Sequence, residues 1–296
     1  MNFNVVGVGE VLWDLLATGP QLGGAPANFA YHAHALGARS QVITRVGEDE
    51  LGREIVRRFR EMDLAAGNVQ TDPTAPTGTA KVSLTGDGVA QFTIEENVAW
   101  DGLAATPEAL AVAREAHAIC FGSLAQRSKT SRSSIQQLVA AAPSDALSIF
   151  DINLRQHYYS REVIEQSLHL SNVVKLNCDE LRVLAEMFGL NDGTPERQIE
   201  GLARRFDQRV VALTRGPLGS LLYQDGRWSD CRPRGVEVVD TVGAGDSFTA
   251  ALVVGLLRKI ELDEINLLAN KIAGYVCSRP GATPPLPAEL AEKFRR

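Results

Sequence analysis

The sequence predicts an α/β fold, a three-layer sandwich in which helices cover both faces of a mainly parallel central sheet. Two observations lead to this prediction. Short β-branched apolar runs alternate with amphipathic segments of helical length, and one stretch between about residues 68 and 100 interrupts that rhythm with a hairpin signature. With 296 residues, of which 45% are hydrophobic, the chain can bury one large core, so we expect a single domain over residues 1–296.

Six apolar runs predict the buried strands of the central sheet. They are FNVVGVG, SQVITRVG, AHAICFGS, LSIFDIN, NVVKLN and QRVVALT. Amphipathic segments separate them, as the crossover connections of a parallel sheet require.

The segment TGTAKVSLTGDGVAQFTIEE predicts a hairpin, because strand-like alternation flanks TGDG with no helix between the strands. Such a hairpin cannot easily enter a parallel sheet through a crossover. We therefore expect a small projecting lid built from residues of about 10–22 and 68–100. An ordinary edge hairpin is the alternative. The open edges of a lid would allow pairing with a second subunit, so we also expect a homodimer through the lid.

Charge and cysteine content exclude several classes of protein. A formal charge of -6 and an isoelectric point near 5.5 argue against a nucleic-acid surface. The four cysteines lie far apart without a CxxC pair, which indicates reduced thiols and neither a disulfide framework nor a zinc site. The sequence begins without a cationic leader and has no apolar run long enough to span a bilayer, so we expect a cytoplasmic protein that does not contact membranes.

The stretch DTVGAGDSF places a glycine-rich bend before an apolar helix that begins near Ala244. The first N–H groups of this helix would point into the bend and form a cradle for an anion. Asp246 lies in the first turn, where the helix N-terminus is expected to lower its pKa. Its carboxylate either stabilises the helix start or accepts the proton of a hydroxyl group that attacks a phosphoryl group in the cradle.

A second glycine cluster, GGAPAN, precedes an alanine-rich helix and contains Gly24 and Asn28. An amide beside exposed backbone N–H groups suits a polyhydroxylated ligand, whereas a capping role is the alternative for Asn28. Asp14 follows the first strand, and its carboxylate is either a ligand of sugar hydroxyls or an exposed loop acid.

Two further motifs have plain structural explanations. TRGPLG is a strand that runs into a glycine turn. NCDE is a capping box, with Asn177 at the N-cap and Glu180 reaching back to it. On these residues alone, the structural role is favoured for both motifs.

Taken together, DTVGAGD, GGAPAN and the segment RVGEDELGREI closely resemble the ribokinase (PfkB-type) family of sugar kinases, over nearly the whole chain. Five further segments are most similar to its fructokinase branch: GEVLWDLL, GGAPANFAYH, ENVAWDGL, FGSLAQRS and DINLR. The resemblance implies a ribokinase-like sandwich with a β-strand lid. It also implies ATP-dependent transfer of the γ-phosphoryl group to a primary alcohol of a sugar.

The resemblance implies roles for individual residues. Asp246 would be the base, and the charge on the transferring group would be stabilised by the amides of Gly243, Ala244 and Gly245. Besides Asp246, the sugar would contact Asp14, Gly24, Asn28 and Arg155. The nucleotide would contact Asn177, Thr214, Gly216, Gly219, Gly245 and Asn270. Glu180 would bind Mg²⁺ through water, in addition to the structural role that a capping box gives it.

Many members of the family bind a monovalent cation beside the anion cradle. The resemblance implies a possible K⁺ site formed by Asp240, Val242, Val276, Arg279 and Gly281. Pro285 stands where ribokinases often supply a serine, and this departure puts the completeness of the site in doubt.

Two further departures bear on the sugar. Ala25 stands where ribokinases carry lysine, and the strand in CFGSLAQ lacks the glutamate that they place near its end. Both argue against ribose, so we expect fructose as the acceptor. Kinases of 2-keto-3-deoxygluconate, ribose or nucleosides are alternatives within the family. A catalytically silent sugar-binding or regulatory relative is the alternative from another class.

Overall fold

The computed structural model describes residues 3–16, 19–84, 90–190, 193–233 and 235–294. Its strands are β1 (Asn4–Val8), β2 (Leu12–Leu16), β3 (Gly19–Gly23), β4 (Arg39–Gly47), β5 (Val69–Asp72), β6 (Gly78–Leu84), β7 (Ala90–Ile94), β8 (Ala118–Gly122), β9 (Leu147–Asp151), β10 (Val173–Asn177), β11 (Val210–Thr214), β12 (Ser220–Gln224) and β13 (Arg227–Cys231).

Its α-helices are α1 (Ala25–Ala35), α2 (Glu50–Glu61), α3 (Pro107–Arg114), α4 (Lys129–Ala141), α5 (Arg161–Leu170), α6 (Cys178–Phe188), α7 (Pro195–Phe206), α8 (Ala244–Leu257), α9 (Leu262–Cys277) and α10 (Ala288–Glu292). Short 3₁₀ helices span Ala99–Gly102, Leu124–Arg127 and Gly216–Leu218. None of the helices in these described ranges is long and apolar enough to cross a membrane.

A large sheet contains nine of the described strands, in the order β13-β12-β11-β10-β9-β8-β1-β4-β5. The strands from β11 to β5 are parallel, and β12 and β13 extend one edge as an antiparallel hairpin. The predicted α/β class with a mainly parallel sheet is confirmed, and the six predicted strands form consecutive members of it. The β12–β13 hairpin is not anticipated, although its turn is an Asp-Gly pair, Asp225 and Gly226, with the positive φ angles of 48° and 83° that such turns need.

The predicted hairpin is confirmed as β6 and β7, which pair antiparallel in a separate four-stranded sheet ordered β3-β2-β6-β7. Its TGDG turn lies outside the described residues. Strand β5 falls inside the segment assigned to the lid but belongs to the large sheet, where it pairs parallel with the end of β4. An ion pair between Arg45 and Asp72, 2.9 Å apart, also joins these two strands. Residues 69–72 therefore do not belong to the small sheet.

Helices cover both faces of the large sheet, as the three-layer prediction requires. Helices α1, α8 and α9 pack on one face over a core that includes Phe29, Phe248 and Ile272. Helices α3 to α7 cover the other face over a core that includes Phe121 and Phe150. A third cluster, with Trp13 and Phe59, lies between the small sheet and α1 and α2. The small sheet is thus anchored beside the large one.

Candidate active site

Polar residues collect at one edge of the large sheet, where its parallel strands end. Asp151, Asn177 and Thr214 are the last residues of β9, β10 and β11, and Glu10 follows β1. The N-termini of α1 and α8 meet at the same edge, where their side chains form a hydrogen bond. Ligands of open α/β sheets bind beyond the carboxyl ends of the strands, so we assign the candidate active site to this edge.

The bend before α8 depends on glycine. Gly243 is the N-cap residue with a φ of 77°, and a Cβ at this position would lie 2.4 Å from the carbonyl oxygen of Ala282. Only glycine fits this conformation and this contact without strain. The first N–H groups of a helix lack partners within it, although that of Ala244 donates to the Thr241 carbonyl at 3.3 Å. The bend has the backbone shape that an anion cradle requires.

Asp246 lies in the first turn of α8 and faces α1. Its Oδ2 accepts a hydrogen bond of 2.8 Å from Nδ2 of Asn28, whose side chain is buried. Burial and the charge of Asp151 raise the pKa of Asp246 to about 6, although Asn28, Lys175 and Arg155 act in the opposite direction. The expected lowering by the helix N-terminus is therefore wrong, because the surrounding protein outweighs the dipole. Near neutral pH, a carboxylate with this pKa is a stronger base than an ordinary aspartate.

Two buried residues that the sequence analysis does not single out lie beneath the bend. Nζ of Lys175 lies 3.1 Å from Oδ1 of Asp151, and both side chains are less than a tenth exposed, at 8% and 6%. The hydroxyl of Thr249 lies 3.0 Å from the other Asp151 oxygen and 2.9 Å from the Gly245 carbonyl oxygen. The available signal is the single lysine inside the apolar run NVVKLN, since lysine is rarely buried unless it is paired.

Of the predicted sugar-binding residues, Asn28 contacts Asp246 directly and Arg155 acts on its charge. Gly24 is the N-cap of α1 with a φ of 115°, and a Cβ there would lie 2.6 Å from the Glu10 carbonyl oxygen. Asp14 lies within strand β2 of the small sheet rather than in a loop, and burial raises its pKa to about 6. Arg155 is exposed, and its charge lowers the pKa of both Asp14 and Asp246. Residues predicted from distant motifs thus act on one another electrostatically.

Glu10 is a further acid that the sequence analysis does not identify. Its side chain is 2% exposed, and Oε2 has no hydrogen-bond partner among the described residues. Burial raises the pKa of Glu10 to about 7, and Asp246 adds to the rise, against the opposing effects of Arg155 and of nearby backbone N–H groups. Glu10 and Asp246 therefore both have raised pKa values and lie at the same end of the sheet.

Asn177 and Glu180 form the capping box that is the structural alternative to ligand binding. Oδ1 of Asn177 accepts from the N–H groups of Asp179 and Glu180, both at 2.9 Å. The two Glu180 oxygens accept from the N–H groups of Asn177 at 2.8 Å and Leu154 at 3.0 Å. Glu180 is buried, which raises its pKa. Each oxygen accepts one hydrogen bond and keeps a lone pair, so Glu180 can serve the capping box and also hold a water molecule of a Mg²⁺ ion.

The predicted nucleotide-binding glycines form the turn after β11. Thr214 ends that strand, and Gly216 and Gly219 have positive φ angles of 55° and 87°. A Cβ at Gly219 would lie 2.0 Å from the Cys231 carbonyl oxygen, so this position requires glycine. The turn is thus both sharp and closely packed against β13.

Asn270 lies in α9 and belongs to a buried polar network. Its Nδ2 is 2.6 Å from Oγ of Ser220 and 2.8 Å from the Asn266 carbonyl oxygen. These contacts attach α9 to the strand that follows the glycine turn. They also engage the donor group of Asn270 within the protein, so that its predicted contact with the nucleotide is left to the side-chain oxygen.

Exposed apolar side chains occur on the glycine turn after β11 and on two other segments. Of the described residues, the large hydrophobic side chains that are exposed are Leu218, Val236, Val238, Val239, Val242 and Leu267. They lie on the glycine turn, on the segment that leads into α8, and on α9. The leading segment runs beside α9, where the N–H of Val239 donates to the Cys277 carbonyl at 2.8 Å. We call these six residues the apolar wall. Uncovered apolar surface of this kind suits the face of a nucleobase.

Asp240 orders the loop opposite the bend. Its Oδ1 accepts from the N–H of Val242 and its Oδ2 from the N–H of Gly281, both at 3.0 Å. Of the other residues predicted for a cation site, Val276 is buried in α9, and the Arg279 guanidinium lies over a tyrosine ring. In the described ranges, no group of three or more histidine, cysteine, aspartate or glutamate side chains could hold a metal ion. A cation here would have to draw mainly on backbone carbonyl oxygens.

These parts together define a class of protein. A glycine-shaped cradle at a helix N-terminus, a carboxylate of raised pKa in its first turn and an apolar wall beyond it are the parts of a phosphotransferase for small alcohols. They lie at the carboxyl edge of an open α/β sheet beneath a small β-sheet.

The chain belongs to the pfkB family of carbohydrate kinases, whose family model matches residues 17–289. It is 30% identical over 287 residues to a fructokinase of Klebsiella pneumoniae, with 92% of this chain and 91% of that relative covered. It is 28% identical over 306 residues to a sugar kinase of Pyrococcus horikoshii, with coverage of 94% and 91%.

Solved structures agree with this assignment. The crystal structure of the Pyrococcus horikoshii protein, described as an uncharacterized sugar kinase, matches with a TM-score of 0.85 at 26% identity over 99% of this chain and 98% of that chain. A Xylella fastidiosa fructokinase with bound ATP has the same fold, with a TM-score of 0.88 at 20% identity and coverage of 99% and 98%. The predicted ribokinase-like architecture is confirmed.

Proposed function

We propose that the protein is an ATP-dependent kinase that transfers the γ-phosphoryl group to a primary hydroxyl of a ketohexose, with fructose as the first candidate. The observation that carries the proposal is the contact between Asn28 and Asp246 at the edge of the glycine bend. It joins a hydroxyl-binding amide to a carboxylate of raised pKa, directly beside the cradle. The base and the anion site therefore meet at one point.

On the acceptor side, three polar groups from separate elements surround the place where a sugar would lie. Asn28 of α1 and Asp14 of β2 offer an amide and a carboxylate, which suit vicinal hydroxyl groups. Arg155 adds a positive charge that reaches both Asp14 and Asp246. A hydroxyl held by these groups would give its proton to Asp246 while its oxygen attacks the γ-phosphoryl group of ATP and ADP leaves.

On the phosphate side, the bend before α8 would hold the transferring group. The N–H groups of its first turn and the positive end of the helix dipole favour the charge that grows on the phosphoryl oxygens. Because a loose phosphoryl-transfer transition state depends mainly on positioning and charge stabilisation, the backbone bend supplies a large part of the catalysis.

The nucleotide would lie along the glycine turn and the apolar wall. The Pyrococcus horikoshii relative was also solved in complex with ATP, and that structure matches this chain with a TM-score of 0.82 at 25% identity. In this chain, the apolar wall and the turn at Gly216 and Gly219 fit a nucleobase with its attached phosphates. We infer that ATP binds there.

Mg²⁺ and K⁺ would complete the site. Mg²⁺ would bind beside the phosphates, with Glu180 holding its water shell, and would neutralise phosphate charge when bound. K⁺ would lie near Asp240, whose carboxylate already orders the loop that ends at Gly281. The missing serine at Pro285 leaves the K⁺ site with one fewer ligand than in ribokinases.

The small sheet would act as the lid, closing over bound sugar to exclude water and limit wasteful hydrolysis of ATP. Strands β3 and β7 form its two edges, which offer unpaired backbone groups to a second copy of the chain. We infer a homodimer through these edges, and light scattering at micromolar concentration would contradict it by finding only monomers.

We infer a cytoplasmic location. The four cysteines are free thiols, which suits a reducing compartment.

The test is Mg²⁺-dependent ATP turnover against a panel of fructose, glucose, ribose, 2-keto-3-deoxygluconate and adenosine. Fructose should give the highest kcat/KM, since several relatives named fructokinase are 27–30% identical to this chain. A clear preference for another compound on the panel would replace fructose but keep the kinase. If no compound raises turnover above the background without acceptor, the kinase proposal fails. The alternative of a catalytically silent sugar-binding or regulatory relative is then favoured.

A further inference from the structure

The Lys175 ammonium group lies directly beneath the start of α8. Lys175 and Asp151 are register partners on the parallel strands β10 and β9, and their side chains form the ion pair described above. A Cβ added to Gly245 would lie 2.8 Å from Nζ of Lys175. The missing side chain at Gly245 therefore leaves room for the ammonium group behind the bend.

This position is electrostatically unusual. The N-terminus of a helix carries positive partial charge, so a cation behind it is disfavoured unless anions compensate. Three carboxylates compensate here: although burial alone would lower the pKa of Lys175, the charges of Asp151, Glu180 and Asp246 raise it. The lysine therefore stays charged. A sequence that breaks a local rule in this way often does so at a functional site.

Several charged or titratable groups face Asp246. They are Glu10 after β1, Cys120 on β8, Asp151 on β9, Arg155 in the loop after β9, and Lys175 on β10. Only two of them are cations. Arg155 is exposed, so that water and salt screen its charge, whereas Lys175 is buried and its charge is screened much less.

A second connection is mechanical. Asp151 holds Lys175 with one oxygen and the Thr249 hydroxyl with the other. Thr249 in turn lies within hydrogen-bonding distance of the Gly245 carbonyl oxygen. The chain of contacts therefore runs from the ammonium group through Asp151 to the first turn of α8, which carries Asp246.

We propose that Lys175 is a positioning residue for this reaction: its buried ammonium group keeps Asp246 ionised and, with Asp151, fixes the first turn of α8. The proposal rests on the role of Asp246 as the base of the proposed kinase. It adds a residue outside the DTVGAGD motif: Lys175 lies on strand β10, whereas the motif lies at the start of helix α8.

The test compares the pH dependence of kcat/KM in Lys175→Met, Asp151→Asn and the double variant with the unchanged protein. Removing the ammonium group should raise the pH at which Asp246 ionises by about one unit, since a nearby opposite charge lowers a carboxyl pKa by about 1 to 3 units. Activity of Lys175→Met should then be about fivefold lower at pH 6, beyond any pH-independent loss, and should recover as the pH approaches 8.5.

The partner variant should shift the profile in the opposite direction. Asp151→Asn removes a negative charge that raises the pKa of Asp246, so its acid limb should move to lower pH. The double variant has neither charge, and its acid limb should return towards that of the unchanged protein. Lys129→Met, on the exposed start of α4, is the matched control and should leave the profile in place.

A purely structural lysine would give a different result. A loss of activity that is equal at every pH, or an acid limb that stays in place in both single variants, would overturn the proposal. If Lys175→Met does not fold, as judged by circular dichroism, Asp151→Asn and the double variant still test the proposal. The acid limb of Asp151→Asn must lie at lower pH than that of the unchanged protein, and the acid limb of the double variant must lie at higher pH than that of Asp151→Asn.

A measurement without turnover separates this proposal from the proposed function. Carbon-13 NMR of aspartate-labelled protein, with Asp246→Asn to assign the signal, follows the Asp246 carboxyl directly. Its titration should move upward in Lys175→Met even if no sugar on the panel is phosphorylated. If the enzyme is active but the Asp246 titration is the same in Lys175→Met, the role of Lys175 is refuted and the proposed function is not.

Discussion

The proposed acceptor side and the proposed nucleotide side of the cleft differ in how they offer binding groups. On the acceptor side, Glu10 is buried and Asp14 and Asp246 are partly buried, and this burial raises the pKa of each. On the nucleotide side, the apolar wall is uncovered and the backbone turns sharply at Gly216 and Gly219. The acceptor side thus groups charged side chains where water has limited access, whereas the nucleotide side consists of apolar surface and a sharply turned backbone.

The difference shows where the chain can tolerate change. Charged groups out of water interact strongly, so that each one affects the protonation of its neighbours. Apolar contacts at an open surface are weak and nearly independent. Substitutions on the acceptor side should therefore alter kcat, the sugar KM or the pH profile, whereas those on the nucleotide side should alter the ATP KM alone.

The largest effect is expected for Asp246→Asn. The amide can still accept the hydrogen bond from Asn28 but cannot accept a proton, so kcat should fall by about 10² to 10⁴. Steady-state kinetics with saturating sugar and ATP measure this loss, and calorimetry should show that ATP binding is retained. Asp240→Asn, in the same motif but outside the bend, is the control and should lose far less. Near-normal turnover of Asp246→Asn would refute its role as the base.

A smaller effect is expected for Asp14→Asn. Loss of a charged acceptor costs about 1.5 to 3 kcal/mol, so the sugar KM should rise about 10- to 100-fold while the ATP KM stays nearly constant. Initial rates with each substrate varied in turn make the comparison. Glu50→Gln on the exposed surface of α2 should change neither constant. An equal rise in both KM values for Asp14→Asn would remove the distinction between the two sides.

The pH profile should show an acid limb near pH 6. The folded pKa of Asp246 is raised, so the ionised base is present above about pH 6 and is lost as the pH falls. At pH 5, kcat with saturating sugar should be about tenfold lower than at pH 7.5, since about one molecule in ten retains an ionised Asp246. Rates across pH 4.5 to 8.5, in a protein that stays folded by circular dichroism, test this. An acid limb near pH 4 would contradict the raised pKa.

The smallest effect is expected for Val238→Ser in the apolar wall. Losing part of one apolar contact should raise the ATP KM about three- to tenfold, with little change in kcat or in the sugar KM. Kinetics with ATP varied at saturating sugar provide the measurement. If kcat fell with the ATP KM unchanged, the apolar wall would have to be reassigned away from the nucleotide.

Sequence reasoning reaches the parts that are local in the chain. The bend at Gly243 and the capping box of Asn177 and Glu180 are each specified within a few residues, and the strands by continuous apolar runs. Contacts between residues on different strands are harder to predict from the sequence. The pairing of Lys175 with Asp151 depends on the register of two strands, and no local pattern predicts it.

The error about Asp246 has the same cause. A helix N-terminus does favour the ionised acid, but burial and a second carboxylate, 95 positions earlier in the chain at Asp151, dominate. The boundary of the small sheet was likewise hidden, since the short strand β5 looks the same whether it pairs with β4 or with a lid strand. The Asp-Gly turn between β12 and β13, in contrast, was present in the sequence as a recognisable hairpin signal.

The small sheet is assembled from two distant stretches of chain, because β2 and β6 lie side by side in parallel. For protein engineering, this means that the small sheet has to be exchanged as two segments of the chain. A chimera that exchanges only β6 and β7 would pair foreign strands with the resident β2, which carries Asp14. Transplanting residues 12–23 together with 78–94 would keep β2 paired with β6 and would move Asp14 with its own sheet, while the cradle, the glycine turn and both helical layers stay untouched.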